Sequence, residues 1–293
     1  MHIVQFAHPG GEFRVPADNS TRLPNGEYNV GWNRGPHRRR LIKHEGRYVD
    51  ANGVLQCGEL LFWTEWEGPT TATRIRPTNG LCNARYLHKV KYPEYSEGEG
   101  NVVNACCQNT DPCVFGKSFK YSNCRQDHNL VLRNLLKGSL IAFVSLIRGT
   151  YYLDTLLVVN EYQAYSTDQK EAINCSKEYR ALTLDRLGAH RNYTFYRGAN
   201  FSGNDCSKNA LFSFTPSRIY SGLDNQQDFA RCALDVDAIN KAVGKSVFTG
   251  VNLRGIKQTL ATAQETCSVW KEIVRQVTTQ GFVCGVNFNW PSR

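Results

Sequence analysis

Apolar residues recur along this chain with two periods, and each period predicts a different kind of element. Through residues 1 to 68, short apolar patches alternate with Gly, Asn and Pro. Tyr28-Asn-Val-Gly-Trp32, Arg47-Tyr-Val49 and Leu60-Leu-Phe-Trp63 are predicted strands, with Asp50-Ala-Asn-Gly53 turning between the last two. Leu140 to Ile147, then Arg148-Gly149, then Thr150 to Asn160 has the form of a hairpin at the centre of a sheet, with Asp154 the one carboxylate intruding on it. Helical spacing appears in Gln126 to Leu136, through Leu130, Val131 and Leu135, and in Asp168 to Leu187, where Asp168 and Glu171 form a cap-like pair. Ile256, Leu260, Ala263, Cys267, Trp270 and Val277 predict a long amphipathic helix closed by Gly281, with Phe282 to Val286 as a last strand.

Between these elements, Ser96 to Gly100 reads as an acidic loop, Tyr193 to Phe214 as aromatic loop, and Asp224 to Ala233 as helical or irregular. The pattern defines an α+β class: a mixed or antiparallel central sheet, a strand-rich N-terminal part and a long C-terminal amphipathic helix. No internal repeat is present. Residues 1–293 are expected to form a single large domain or two tightly packed halves, with a soft boundary near 137 or 190.

Charge sharpens this picture. Lys and Arg exceed Asp and Glu by 35 − 26 = 9, with a pI near 9.0, which favours polyanionic partners and nucleic acid first among them. The N-terminal residues lack a signal-peptide pattern and the longest apolar run is too short to span a bilayer, so a cytoplasmic location is expected. Eleven cysteines without a repeating spacing then read as reduced thiols.

The densest basic run, Asn33-Arg-Gly-Pro-His-Arg-Arg-Arg40, is flanked by Trp32 and Tyr48. Guanidinium groups beside aromatics suit a phosphate backbone with stacked bases. Trp32, Arg34, His37, Arg38, Arg39, Arg40, Trp63, Trp66, Arg74 and Arg125 are the candidate nucleic-acid contacts, the alternative being a solvated positive loop. In Leu61-Phe-Trp-Thr-Glu-Trp-Glu67, strand geometry puts Trp63, Glu65 and Glu67 on one face and Phe62, Thr64 and Trp66 on the other. A glutamate beside an indole either lines a ring-stacking pocket or sits at the rim of a structural tryptophan.

The stretch Asn104 to His128 gathers Asn109-Thr-Asp-Pro112, four cysteines and Asp127-His128. Proline stiffens the turn and can hold Asp111 at a fixed angle, or the turn carries no chemistry. Cys107, Cys113, Cys124 and His128 could supply four zinc ligands, but no pair has CxxC or HxxxH spacing, so no metal or other cofactor is expected. No P-loop or dinucleotide loop is present. Carboxylates beside basic and aromatic residues fit hydrolysis of an N-glycosidic bond, which needs an anion for an oxocarbenium-like sugar and a pocket for the flipped base. The candidate catalytic residues are Asp111 with Asn109, then Glu65, then Asp127 with His128.

Asn109-Thr-Asp-Pro112 superficially resembles the water-activating Gly-Gln-Asp-Pro motif of uracil-DNA glycosylases, although the Gly-Gln and the following Tyr are missing and His8-Pro9 precedes it rather than following. A broader pattern spans most of the chain: Trp32-Asn-Arg-Gly-Pro-His-Arg-Arg39, Phe62 to Glu67, Asn109 to Gly116, Tyr121 to Gln126 and Phe212 to Pro216. It resembles a bacterial family associated with phage defence and modified DNA bases, including glycosylases that excise glucosylated hydroxymethylcytosine. The resemblance implies a DNA glycosylase acting on double-stranded phage DNA, and it carries no catalytic residue across. The rivals are a non-catalytic PUA-like reader of modified bases and a metal-dependent nuclease.

Overall fold

A computed structural model describes residues 1–76, 84–93, 107–202, 211–222, 229–250 and 255–293. The Ser96 to Gly100 loop and residues 224–228 of the Asp224 to Ala233 stretch lie outside the described residues. The strands are β1 (His2–His8), β2 (Ser20–Arg22), β3 (Tyr28–Val30), β4 (Arg39–Val49), β5 (Leu55–Glu65), β6 (Thr70–Arg74), β7 (Tyr86–Val90), β8 (Lys120–Tyr121), β9 (Leu140–Ile147) and β10 (Thr150–Ser166). They continue with β11 (Asn192–Gly198), β12 (Thr215–Ile219), β13 (Cys232–Ala233), β14 (Ile256–Leu260) and β15 (Val283–Phe288). The α-helices are α1 (Leu130–Arg133), α2 (Lys177–Leu182), α3 (Val236–Val243) and α4 (Ala263–Thr279).

Two mixed sheets result, so the class is α+β. One runs β14-β1-β9-β10-β11-β8 with β13 added to β10, and its β1–β9 pair is parallel. The other runs β15-β12-β5-β4-β7-β6-β3-β2, and β15 also pairs with β4, so β4, β5, β12 and β15 close on one another. The parallel β4–β7 pair makes this sheet mixed as well. Both sheets feed one core: Val4, Phe6, Ile141 and Phe143 from the first pack in the same cluster as Ile42, Leu60 and Phe62 from the second. Burying aromatics of that size contributes several kcal/mol each, about 3–5 by the cost of truncating one.

The alternation along β5 is as the strand pattern requires. Phe62 and Trp66 enter the central core, while Trp63 packs with Leu41 and Leu87 in a separate cluster. The 140–160 hairpin forms as β9 and β10, turning at Arg148-Gly149, and β10 continues to Ser166. A register shift between Leu153 and Thr155 makes Asp154 the extra residue of a β-bulge. Such a bulge re-aims a side chain, and here it sends the carboxylate inward among buried strands.

Three helices are shorter than the apolar spacing suggests, and in each case a capping residue is the reason. Asn129 accepts from the N–H groups of Val131 and Leu132, so 126–136 divides into a 3₁₀ turn (Gln126–His128) and α1. Ser176 caps α2 through Tyr179, and Ile173 is extended, so 168–187 breaks into a 3₁₀ segment at Thr167–Ala172, then α2, then a turn at Leu184–Arg186. Thr262 and Glu265 form a reciprocal capping box that starts α4, leaving Ile256 and Leu260 to pair with β1. The buried stripe of α4 is Val269, Ile273 and Val277, at intervals of four.

Candidate functional site

Register on β4 and β5 sets the centre of the site. Arg39 lies opposite Glu65, and cross-strand partners on one face are within side-chain reach. Arg39 Nη1 donates to Glu65 Oε2 at 2.7 Å and its Nε donates to Asp154 Oδ2 at 2.9 Å. Ser145 on β9 donates its hydroxyl to the same Asp154 oxygen at 2.5 Å, and Arg231 Nη1 lies 3.7 Å from Oδ1. Thus one guanidinium, itself 1% exposed, ties the second sheet to the bulge of the first.

Glu65 gathers partners on both oxygens. His8 Nδ1 lies 3.3 Å from Oε2, and Oε1 accepts from the Asp111 N–H at 3.1 Å and lies 3.3 Å from His37 Nδ1. Burial alone would raise its pKa; the His37, His8 and Arg39 contacts outweigh burial and hold it well below the ordinary carboxylate value. His37 also reaches Glu67 Oε1 at 2.9 Å. Burial opposes its charge, but the two glutamates raise its pKa to about 10. His8 is pushed down by burial, and its Nε2 meets Cys124 Sγ at 3.3 Å.

Asp111 sits next to this chain and is 1% exposed. Its Oδ1 accepts from Ser122 N at 2.9 Å and its Oδ2 from Asn123 N and Cys124 N, each at 2.8 Å. Three successive backbone N–H groups wrap the carboxylate as a nest wraps an anion. Burial pushes its carboxyl up to about 7, against those donors. Asn109 donates to Asn123 Oδ1 at 3.0 Å and so belongs to the same loop clasp.

On the outer side of Arg231 the chemistry changes. A cleft of about 1020 Å³ is lined by Arg14, Arg38, Arg74, Arg85, Arg148 and Arg231, together with Trp63 and the Gly10-Gly11 loop. Glu12 is the only carboxylate among its described lining residues. The guanidinium of Arg231 lies 3.8 Å over the Trp63 ring, a cation–π contact at the junction of cleft and buried chain. Gly10 is required where the loop leaves β1, because a Cβ there would lie 2.7 Å from Ser145 Cβ. Glu12 Oε1 accepts from Arg85 N at 2.6 Å and Tyr86 N at 3.0 Å, and burial raises its pKa despite these bonds.

The structure divides the candidates named from the sequence. Arg38 and Arg74 line the cleft. Arg39 and Arg40 do not form a solvated basic loop: they are strand residues, at most 1% exposed, because β4 begins at Arg39. Arg40 lies 4.1 Å over Phe13 and donates to Gly68 O and Thr70 Oγ1, which leaves no surface for a phosphate. Trp66 is fully buried against Phe115 and is no stacking platform, and Trp63 is covered by Arg231. Trp32 is half-buried with Arg186 4.1 Å over its ring. Arg34 and Arg125 are exposed but do not line the cleft, and His37 is turned to the glutamates.

Asp111 and Glu65 are corrected in the same sense. Both are enclosed with each oxygen engaged, so neither presents an atom to a substrate in the cleft. Asp127 and His128 are exposed in a 3₁₀ turn, where Asp127 accepts from the Tyr193 hydroxyl at 2.9 Å. The four suggested zinc ligands do not converge: among the described residues the cluster able to hold a metal is His37, Glu65 and Glu67.

Sequence reasoning missed His8, Glu12, Arg148 and Arg231. The one available signal was Asp154, a carboxylate inside an apolar hairpin, which required a buried cation somewhere. No helix among the described residues is long and apolar enough to cross a membrane. No family model matches the chain, and no curated protein or solved structure matches it either.

Proposed function

We propose that this protein binds nucleic acid in the arginine-lined cleft and excises a modified base from DNA held there, leaving an abasic site. The observation that carries the reading is the cleft itself: six arginines around one carboxylate, with Arg231 held over Trp63 at its inner wall. Guanidinium groups recognise phosphate oxygens in a bidentate manner, and releasing counterions from several phosphates drives binding.

Excision breaks the C1′–N bond, the base leaving with the bonding pair while water adds to C1′. A leaving base needs a proton, and Glu12, a carboxylic acid whose pKa burial raises, is the cleft group able to supply one. The carboxylate this leaves faces the oxocarbenium-like sugar and takes up the proton that the attacking water loses. The arginines hold the flanking phosphates and oppose the charge that develops on the base. Asp111 and Glu65 then have structural roles, holding a loop and orienting Arg39.

The test is an incubation of matched duplexes carrying cytosine, methylcytosine, hydroxymethylcytosine, glucosylated hydroxymethylcytosine or uracil, with and without EDTA. Mass spectrometry reads released base and mild alkali reads strand breaks. Base release from one duplex, retained in EDTA and reduced about 10²–10⁴-fold by Glu12→Gln, is expected. Selective binding without any change to the DNA would replace excision by reading of a modified base. Nicking that EDTA abolishes would replace it by nuclease action.

A further inference from the structure

The three side chains His37, Glu65 and Glu67 do more than neutralise one another. His37 Nδ1 lies 2.9 Å from Glu67 Oε1 and 3.3 Å from Glu65 Oε1. Both glutamates therefore turn their Oε1 toward one imidazole nitrogen, that of Glu65 also accepting from the Asp111 N–H at 3.1 Å, and each has its other oxygen anchored elsewhere. Glu65 Oε2 accepts from Arg39 Nη1 at 2.7 Å, and Glu67 Oε2 accepts from Asn33 Nδ2 at 2.5 Å. Such outer partners fix the orientation of metal-ligating carboxylates. Two ligands about 2.1 Å from a cation and at right angles to it are about 3 Å apart, so each His37–glutamate separation fits adjacent positions of one coordination shell. The three donor atoms all lie within 4.8 Å of one another.

Two further observations point the same way. His8 Nδ1 is buried, makes no well-formed hydrogen bond, and lies 3.3 Å from the other oxygen of Glu65, Oε2. The glutamates are enclosed, but the His37 side chain is 32% exposed, which gives a cation an entry path and leaves positions open to water. We infer that His37 Nδ1, Glu65 Oε1 and Glu67 Oε1 form a three-donor site for one divalent first-row cation. One imidazole with two carboxylates suits Mn²⁺, Fe²⁺ or Zn²⁺ better than Ca²⁺ or Cu⁺. The site stands apart from the base-excision reading, because none of the three residues lines the arginine cleft.

The test strips the full-length protein of metal with a chelator, removes the chelator, and dialyses it to equilibrium against Mn²⁺ or Zn²⁺. Bound metal is counted by elemental analysis and bound Mn²⁺ by the fall in its free-ion electron paramagnetic resonance signal. One equivalent per chain of at least one cation is expected, with affinity reduced tenfold or more in both His37→Ala and Glu67→Gln. The cation should raise the melting temperature of the wild-type protein and not that of His37→Ala. His37 is partly exposed, so its variant remains decisive even if Glu67→Gln fails to fold. Binding that His37→Ala leaves unchanged, or no binding of either cation at millimolar concentration, overturns the assignment. Base release plays no part in this readout, so failure of the excision reading leaves the metal result intact.

Discussion

The buried charge chain and the arginine cleft meet at Arg231, and they use the same residue types to opposite ends. In the chain, Arg39 is matched by Glu65 and Asp154 within 2.9 Å, and these three charges are enclosed. In the cleft, six arginines surround a single carboxylate and Arg14, Arg74, Arg85 and Arg148 are open to solvent. A matched and enclosed set holds sheets in place and offers nothing to a polyanion. An excess of one sign over a concave surface offers charge to a polyanion. Clustered arginines therefore mean little until their burial and partners are known.

Three substitutions sharpen that contrast through stability. Arg39→Met should have the largest effect, because Glu65 and Asp154 would be left without the cation they share; breaking a buried pair this way costs about 3–5 kcal/mol. Denaturant unfolding measures it, and a drop under about 1 kcal/mol would show that the chain is not what joins the two sheets.

Asp111→Asn comes next. An amide keeps one acceptor oxygen but turns an NH₂ toward backbone N–H groups that now face an oxygen, so stability should fall by about 1–3 kcal/mol. Base release by the folded fraction should persist. A stable but inactive Asp111→Asn protein would return Asp111 to the catalytic role that its loop first suggested.

The smallest effect concerns His88, which is fully buried with Nδ1 3.0 Å from Thr70 Oγ1 and Phe13 packed edge-on. Burial, with the nearby Arg40 charge, holds its pKa well below the ordinary value. The unfolded chain then binds a proton that the folded chain refuses. Stability from this group is full above about pH 6.5 and falls as the pH drops below it. His88→Phe should flatten the stability profile between about pH 7 and 5, and an unchanged slope would assign the acid sensitivity to other groups.

The sequence carried the β5 faces and the 140–160 hairpin because their signals are local, but Tyr193 to Phe214 reads as loop where β11 forms, and Ile256 to Leu260 reads as helix where β14 forms. Alternation in Leu61 to Glu67 named the two faces of β5, and the Arg148-Gly149 turn named the hairpin. Helix lengths were less legible, since apolar spacing runs through Asn129, Ser176 and Thr262 while their side chains cap the backbone and restart it. The site was legible only in part. Arg38 stands in the basic run at 33–40 and Arg74 is a candidate contact outside it, but Arg39 and Arg40 share the run of Arg38 and are buried by the strand that starts there. Glu12, Arg148 and Arg231 come from three separate segments, and only the packing of β1, β9 and β10 brings them to one cleft. Asp111 and Glu65 had the right residue type in the right kind of turn or strand; what the sequence could not show was that their oxygens are already taken.

The most direct test of the central claim is a salt titration of DNA binding, followed by fluorescence anisotropy, for the wild-type protein and for Arg38→Gln/Arg148→Gln. Both arginines line the cleft and neither belongs to the buried chain, so the double variant should melt as the wild type does. Wild-type affinity should fall steeply with salt. The double variant should bind more weakly, with a log–log slope shallower by about 2, roughly 0.9 for each phosphate no longer neutralised. Equal affinity and equal slope in the two proteins, or wild-type binding insensitive to salt, would contradict the claim.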